Sequence, residues 1–471
     1  MKTIDTIYVN GAFVKPHGTE VFDLISPTDN GLIGKVILGD ETDTQLAVAA
    51  AKEAFKTFSQ TTKEERIAYL QKLYDVVKQR ECELIEVMVK EYGGTLHFCT
   101  MSIQNALSGF TSAIEVLKTF EFQKIVGKSK VMLQPLGVVG IITPWNASNG
   151  FICSKLAMSI ASGSTAVIKP SEMSALQTQL LLECFHEAAL PKGVFNIVNG
   201  RGDVVGATLV NHRDVAKISF TGSTAVGKFI ARSAAETMKR VTLELGGKSP
   251  NIILDDANLE DAIPMAVSAA YMNSGQACIA GTRLLVHESK IAEVKELLKE
   301  TVEQVKVGNP ADATTVLGPM VNQKQYNRVQ EYIQLGMEEG AELLMGGPGK
   351  PEGLEAGNFV KPTVFVNVTN DMRIAREEIF GPVLSVITYK TEEEAIEIAN
   401  DTDYGLQAYV SSSDVMRAKR VASQIVAGRV LINGLYHDPL APFGGFKQSG
   451  IGREMGVYGL EEYVEPKTIL V

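Results

Sequence analysis

Cys278 is the residue best placed for covalent chemistry. It lies in Gly275-Gln276-Ala277-Cys278-Ile279-Ala280-Gly281, after an apolar helical run from Leu259 to Met272 that breaks at Asn273-Ser274-Gly275. A strand is expected directly after it, over residues 282–287. A glycine-bracketed loop between helix and strand can hold a thiol at the edge of a cleft, and a thiolate is a strong nucleophile once its pKa is lowered. The competing reading is a small buried hydrophobe, which most cysteines are. The segment alone leaves the two in balance.

Other reactive types gather where apolar runs stop. Ile141-Ile142 leads into Thr143-Pro144-Trp145-Asn146, and Ile168 into Lys169-Pro170-Ser171-Glu172. Phe220 leads into Thr221-Gly222-Ser223-Thr224-Ala225-Val226-Gly227, and Leu243 into Glu244-Leu245-Gly246-Gly247. The Asn146 carboxamide can donate to a developing oxyanion; a turn residue or an N-x-S glycosylation acceptor is the alternative. Glu244, inside an apolar strand, would carry a raised pKa and serve as a general base, unless it simply faces water. Gly222 to Gly227 offers free N–H groups to a pyrophosphate. It is neither a P-loop nor GxGxxG, and taken alone an ordinary capped helix start reads better. Lys169 with Glu172 can bond ribose hydroxyls, Glu172 repelling a 2′-phosphate; a Pro-led helix start with an acidic first turn is the alternative. Glu377-Glu378-Ile379-Phe380-Gly381-Pro382 is ambiguous by itself.

The elements that must position these residues alternate. Short β-branched runs at 138–142, 165–168, 194–198, 216–220 and 241–245 each read as a strand, and helices separate them. That pattern predicts repeated βαβ units around a buried parallel sheet, with the polar clusters along one crevice at the strands' carboxyl ends. Two amphipathic helices precede the sheet. Thr42 to Gln45 reads as the capping box of one, with Leu46, Ala47, Ala50, Ala51, Ala54 and Phe55 on its apolar face. Thr62 to Glu65 opens the other. A second α/β pattern runs from about 251 to 445, and residues 463–471 read as a terminal strand in need of a partner edge.

Whole-chain properties bound the rest. A length of 471 residues exceeds one hydrophobic core, so two or three domains are expected. A net charge of −10 without a basic block argues against a nucleic-acid partner. No apolar stretch reaches membrane-spanning length and no signal peptide is evident. Five scattered cysteines without metal-ligand spacing point to no metal and to a reducing cytoplasmic setting.

With these pieces in order, the sequence resembles the NAD(P)-dependent aldehyde dehydrogenase superfamily. The matching segments are those after each strand, Leu243 to Pro250, Gly275 to Cys278, Glu377 to Pro382, and Pro442-Phe443-Gly444-Gly445-Phe446-Lys447-Gln448-Ser449-Gly450. The resemblance implies an α/β protein of three parts. These are a Rossmann-like parallel-sheet cofactor domain (1–117 and 137–246), an α/β catalytic domain (247–446) and a small β oligomerisation arm (118–136 and 447–471). It further implies a homodimer or homotetramer that oxidises a small-molecule aldehyde to its carboxylate with NAD, NADP being possible. Cys278 would add to the aldehyde and carry the thioester, Asn146 and the Cys278 N–H would hold the oxyanion, and Glu244 would activate water. Lys155 and Glu454 match residues proposed to relay protons from Glu244. Thr143, Trp145, Lys169, Ser171, Glu172, Gly222, Ser223, Gly227, Leu245, Glu378 and Phe380 match the cofactor site. Within it Lys169 and Glu172 fall at the adenosine ribose, Ser223 and Trp145 at the pyrophosphate, and Glu378 at the nicotinamide ribose beside Phe380. Glu244 argues against release of the thioester by CoA. One departure concerns the aldehyde entrance. Many members have an aromatic after the Pro-Trp-Asn motif and a tryptophan beyond, where this chain has Ala147 to Ser154. A wider, more polar tunnel is expected.

Overall fold

The computed structural model describes residues 2–470. Five parallel strands form the centre of one sheet: Val138–Ile142, Thr165–Lys169, Phe195–Ile197, Val215–Thr221 and Arg240–Glu244. Numbered among themselves in chain order they lie 3-2-1-4-5. The first two are buried at every position, which is why they read as unbroken apolar runs rather than alternating ones. The order reverses between Val138–Ile142 and Val215–Thr221, the place where open α/β sheets bind ligands. Thr143 and Gly222 flank that point.

A hairpin, Ile7–Val9 to Ala12–Val14, extends one edge, turning on Asn10 and Gly11, both left-handed (φ 51° and 79°). The other edge is completed from the far end of the chain. Gly450–Ile451 pairs antiparallel with Arg240–Glu244 and sets Gly450 opposite Glu244. Farther along, Val464–Ile469 joins Gln123–Val126 and Ser129–Pro135 in a separate antiparallel sheet. The terminal strand's partner edge is in its own chain.

A second, seven-stranded sheet runs Glu342–Met345, Thr363–Val366, Val383–Tyr389, Arg283–His287, Pro250–Ile253, Gln407–Ser411, Arg429–Ile432. All its neighbours are parallel except the Glu342–Met345 edge. Residues 245–249 carry the chain from the carboxyl end of Glu244's strand to the amino end of Pro250–Ile253. The site forms at this crossing.

One helix start differs from the sequence expectation. The first long helix spans Glu41–Phe58, capped by Asp40 rather than Thr42. The Asp40 carboxylate accepts from the N–H groups of Thr42 and Asp43, and Asp43 answers the Asp40 N–H. A carboxylate is the stronger acceptor at this charged helix end. The buried face shifts accordingly to Ala47, Val48 and Ala51, leaving Leu46 exposed. Lys63–Gln79 does begin at the Thr62–Glu65 box.

Candidate active site

The helix Leu259–Tyr271 ends in a tight turn, Met272–Gly275. There Asn273, Ser274 and Gly275 all take positive φ (51°, 56° and 73°). Three successive left-handed residues need outside support. Tyr92 donates its hydroxyl to Asn273 Oδ1 at 2.9 Å. The Ser274 hydroxyl both donates to the Gly318 carbonyl and accepts its N–H, at 3.1 and 2.9 Å. Gln276, fully buried, donates to Tyr92 and to the Pro319 carbonyl and accepts the Val321 N–H. This anchored turn presents Cys278, which remains partly exposed.

The loop is pressed onto the end of Glu244's strand. A Cβ at Gly247 would sit 2.3 Å from the Cys278 carbonyl oxygen, so only glycine lets the two backbones approach. Burial pushes the Cys278 thiol up to about 12, and the carboxylates of Glu378 and Glu244 push the same way. The N–H groups of Cys278 and Ile279 act in the opposite sense, favouring the thiolate.

Glu244 is 2 % exposed, and neither carboxylate oxygen meets a hydrogen-bond donor among the described residues. Burial first, and then the neighbouring carboxylate of Glu454, hold it well above the usual carboxylate range. The Pro442–Gly450 segment closes over it: a Cβ at Gly444 would lie 2.9 Å from Glu244 Oε1. Phe443 and Glu454 exchange backbone hydrogen bonds at 2.8 and 2.7 Å, which brings Glu454 into the same enclosure. Glu454 pairs with Lys155, whose Nζ also reaches Ser219 Oγ at 3.2 Å.

Asn146 donates one Nδ2 hydrogen to the Gln276 carbonyl at 3.0 Å. This bond ties it to the cysteine loop and leaves its second N–H available. Cys278, Asn146, Glu244, Lys155 and Glu454 thus arrive from five segments around one crossing.

The cofactor candidates line the switch-point crevice. Lys169 pairs with Glu172 at 2.9 Å, and Ser171 caps the turn between them. Ser223 caps the helix Thr224–Ala235. Gly227 permits Leu245 to lie flat on that helix, since a Cβ would strike its methyl groups. Thr143 and Thr221 each keep a buried hydroxyl without a hydrogen-bond partner among the described residues. Glu378 accepts the Gly247 N–H at 3.0 Å; burial raises its carboxyl to about 7. Trp145 packs edge-on to Phe380 with ring centroids 5.5 Å apart.

Several residues here gave no signal in the sequence. Arg201 reaches within 4.0 Å of Glu172 while bonded to Glu20. Glu91 and Tyr92 end the helix Glu81–Tyr92 and serve both sides of the crevice. Glu91 accepts the N–H groups of Leu176 and Gln177 at 2.6 and 3.0 Å, and Tyr92 braces the cysteine turn. Gln276 lies within the Gly275–Cys278 segment, but its bracing role shows only in its contacts. Only their partners, far away in the chain, identify them.

Comparison with known proteins identifies the family. The aldehyde dehydrogenase family pattern matches residues 13–469. The chain is 43 % identical over 472 residues to the 3-succinoylsemialdehyde-pyridine dehydrogenase of a Pseudomonas species, covering 100 % of this chain and 99 % of the relative. Among solved structures it is similar to a cysteine-to-alanine variant of aldehyde dehydrogenase C from Pseudomonas syringae complexed with NAD+ and octanal. That match has a TM-score of 0.97 and 44 % identity, over 99 % of this chain and 96 % of the other. Betaine aldehyde dehydrogenase from Staphylococcus aureus in complex with NAD+ matches with a TM-score of 0.96 and 36 % identity, over 99 % and 94 % of the two chains. The chain belongs to the aldehyde dehydrogenase family.

Proposed function

We propose that the protein oxidises an aldehyde to its carboxylate with NAD+ through a thioester on Cys278. The observation carrying this reading is the buried, unpartnered Glu244 carboxylate enclosed beside the cysteine loop. Lys169 and Glu172 would hold the adenosine ribose, the N–H groups around Ser223 the pyrophosphate, and Glu378 the nicotinamide ribose. The unpartnered threonine hydroxyls of the crevice fit such a polar ligand. When bound, NAD+ accepts the hydride leaving the aldehyde carbon.

The chain's own residues do the remaining work. Cys278 loses its proton to Glu244 and its sulfur bonds to the carbonyl carbon, moving the π electrons onto oxygen. The free Asn146 N–H and the Cys278 N–H receive that negative charge. Glu244 hands the thiol's proton on to the adjoining Lys155–Glu454 pair, and after oxidation takes a second one from water as the oxygen adds to the thioester. The C–S bond then breaks, freeing the Cys278 thiolate and the acid, which gives its remaining proton to solvent and leaves as the carboxylate. The Lys155–Glu454 pair passes this second proton outward by the same route. We further propose that the arm sheet, with Ile125 and Leu470 exposed, joins subunits of a cytoplasmic homodimer or homotetramer.

Arg201 favours a second reading of the cofactor. With two cations beside it, Glu172 repels a 2′-phosphate less than an isolated carboxylate would, so NADP+ is expected as a poorer alternative.

The test is pre-steady-state. Cys278→Ala should form no NADH from any aldehyde. Glu244→Gln should form its first NADH more slowly, the thiol having lost its base, and then turn over about 10²- to 10⁴-fold more slowly than the parent. Full steady-state activity in either variant would refute the assignment.

A further inference from the structure

The nucleophile's loop is hydrogen-bonded to a buried polar chain that the proposed chemistry does not use. The Ile279 carbonyl, one residue beyond Cys278, accepts the Tyr409 hydroxyl at 2.8 Å. Tyr409 oxygen accepts Gln407 Nε2 at 2.5 Å. Gln407 Oε1 accepts two N–H groups of Arg429, from Nη2 at 2.7 Å and Nε at 3.1 Å. Arg429 Nη1 meets His437 Nδ1 at 3.1 Å, and its guanidinium lies 5.0 Å from the centre of the Phe443 ring.

Strand pairing makes this chain rigid. Gln407 and Arg429 are direct partners across two parallel strands, and Tyr409 lies two residues along the same face as Gln407. Gln407 and Tyr409 are each 2 % exposed. The missing side chain of Gly281 gives the Tyr409 ring its place, since a Cβ there would sit 3.0 Å from it. From the opposite side, Gly247 admits the Cys278 carbonyl. The thiol is therefore carried on a loop held at two successive carbonyls, those of Cys278 and Ile279, with the N–H groups of the same two residues favouring the thiolate. Buried polar chains whose members are all satisfied fix geometry rather than add bulk stability.

We propose that Tyr409, held by Gln407 and Arg429, is a positioning residue for Cys278, fixing the Ile279 carbonyl and through it the set of the loop that carries the thiol. This rests on the reading of Cys278 as the nucleophile. It also ties the His437 loop to the reacting atom through four side chains.

The test follows iodoacetamide modification of Cys278 against pH in the full-length protein, without aldehyde, by peptide mass spectrometry. A Cys82→Ser background removes the other accessible thiol, since Cys99, Cys153 and Cys184 are buried. Tyr409→Phe should slow the modification about 5- to 10-fold at pH 8, the equivalent of one hydrogen bond. It should also move the midpoint of the pH curve upward and lower kcat comparably, with the Kd for NAD+ unchanged. Gln407→Leu keeps the Tyr409 hydroxyl and should act in the same direction but less, about 2- to 3-fold. Two results would overturn the proposal. One is a Tyr409→Phe variant with the parent's rate and midpoint. The other is an Arg429→Met variant that leaves modification untouched while raising KM only for aldehydes bearing a carboxylate, which would make the guanidinium a substrate receptor. Whether Cys278 is the nucleophile is decided separately by the Cys278→Ala activity.

Discussion

Gly247→Ala adds one methyl group where the structure has no room for it. The new Cβ would stand 2.3 Å from the Cys278 carbonyl oxygen, against about 3.4 Å for ordinary contact, a shortfall of about 1.1 Å (3.4 − 2.3). Neither side yields easily. Gly247 is held by the Glu378 carboxylate, and the cysteine loop by Tyr92, Ser274 and Gln276. The displacement must be shared by two backbones, one of which carries the thiol. A misplacement near 1 Å costs on the order of 10²-fold in rate, while overpacking costs about 1–3 kcal/mol of stability. The expected variant is therefore folded, lower melting, and about 100-fold reduced in kcat/KM. The assay is initial-rate NADH formation beside a thermal melt, with Gly202→Ala as a control, because a Cβ at Gly202 meets nothing within 4 Å. Gly247→Ala activity within a few-fold of the parent at an unchanged melting temperature would refute the clamp.

Asn146→Ala should lower kcat by about 10²- to 10³-fold, since it removes an oxyanion donor and the tie to Gln276 together; a loss confined to KM would contradict the oxyanion role. Glu172→Gln should raise NADP+ use relative to NAD+ by about tenfold and Arg201→Ala should lower it, read as ratios of kcat/KM. An unmoved ratio in both would sever Glu172 from the ribose. Burial raises the Glu91 carboxyl from 4.5 to about 7, so the folded chain keeps a proton that the unfolded chain has lost between these values. Stability from this group is complete below the lower value and lost as pH rises through the upper one. Denaturant unfolding of wild type and Glu91→Gln should diverge across that window, with a slope difference of up to about 1.4 kcal/mol per pH unit. A constant difference would show that Glu91 does not titrate there.

The central sheet was legible because burial on both faces writes itself into adjacent residues. Val138–Ile142 and Thr165–Lys169 could hardly be anything but inner strands. The polar clusters at strand ends could likewise be placed along one crevice once the strands were taken as parallel. Features whose partners lie far along the chain were not legible. Nothing near Glu244 announces that Gly450 will lie opposite it, and a two-residue strand has no periodicity to detect. Glu91 reads as one more charge at a helix end until the helix it caps is known. The Asp40 cap is hidden for a local reason: Thr42 with Gln45 matches the usual box, yet Asp40 with Asp43 forms the same reciprocal arrangement two residues sooner.

The strand beside Glu244 also sets a timetable. A ribosome that has delivered Cys278 has made the thiol but not its chamber. Gly450, Glu454 and the Phe443 segment are still to be synthesised, and without them the Glu244 carboxylate faces solvent rather than its enclosure. Such late, long-range closure is slow to form and easily undone. A nascent or clipped chain lacking residues 443–454 would hold the thiol and the oxyanion donor without an enclosed base. Chemical competence therefore waits on residues 443–454, long after the thiol itself has been made.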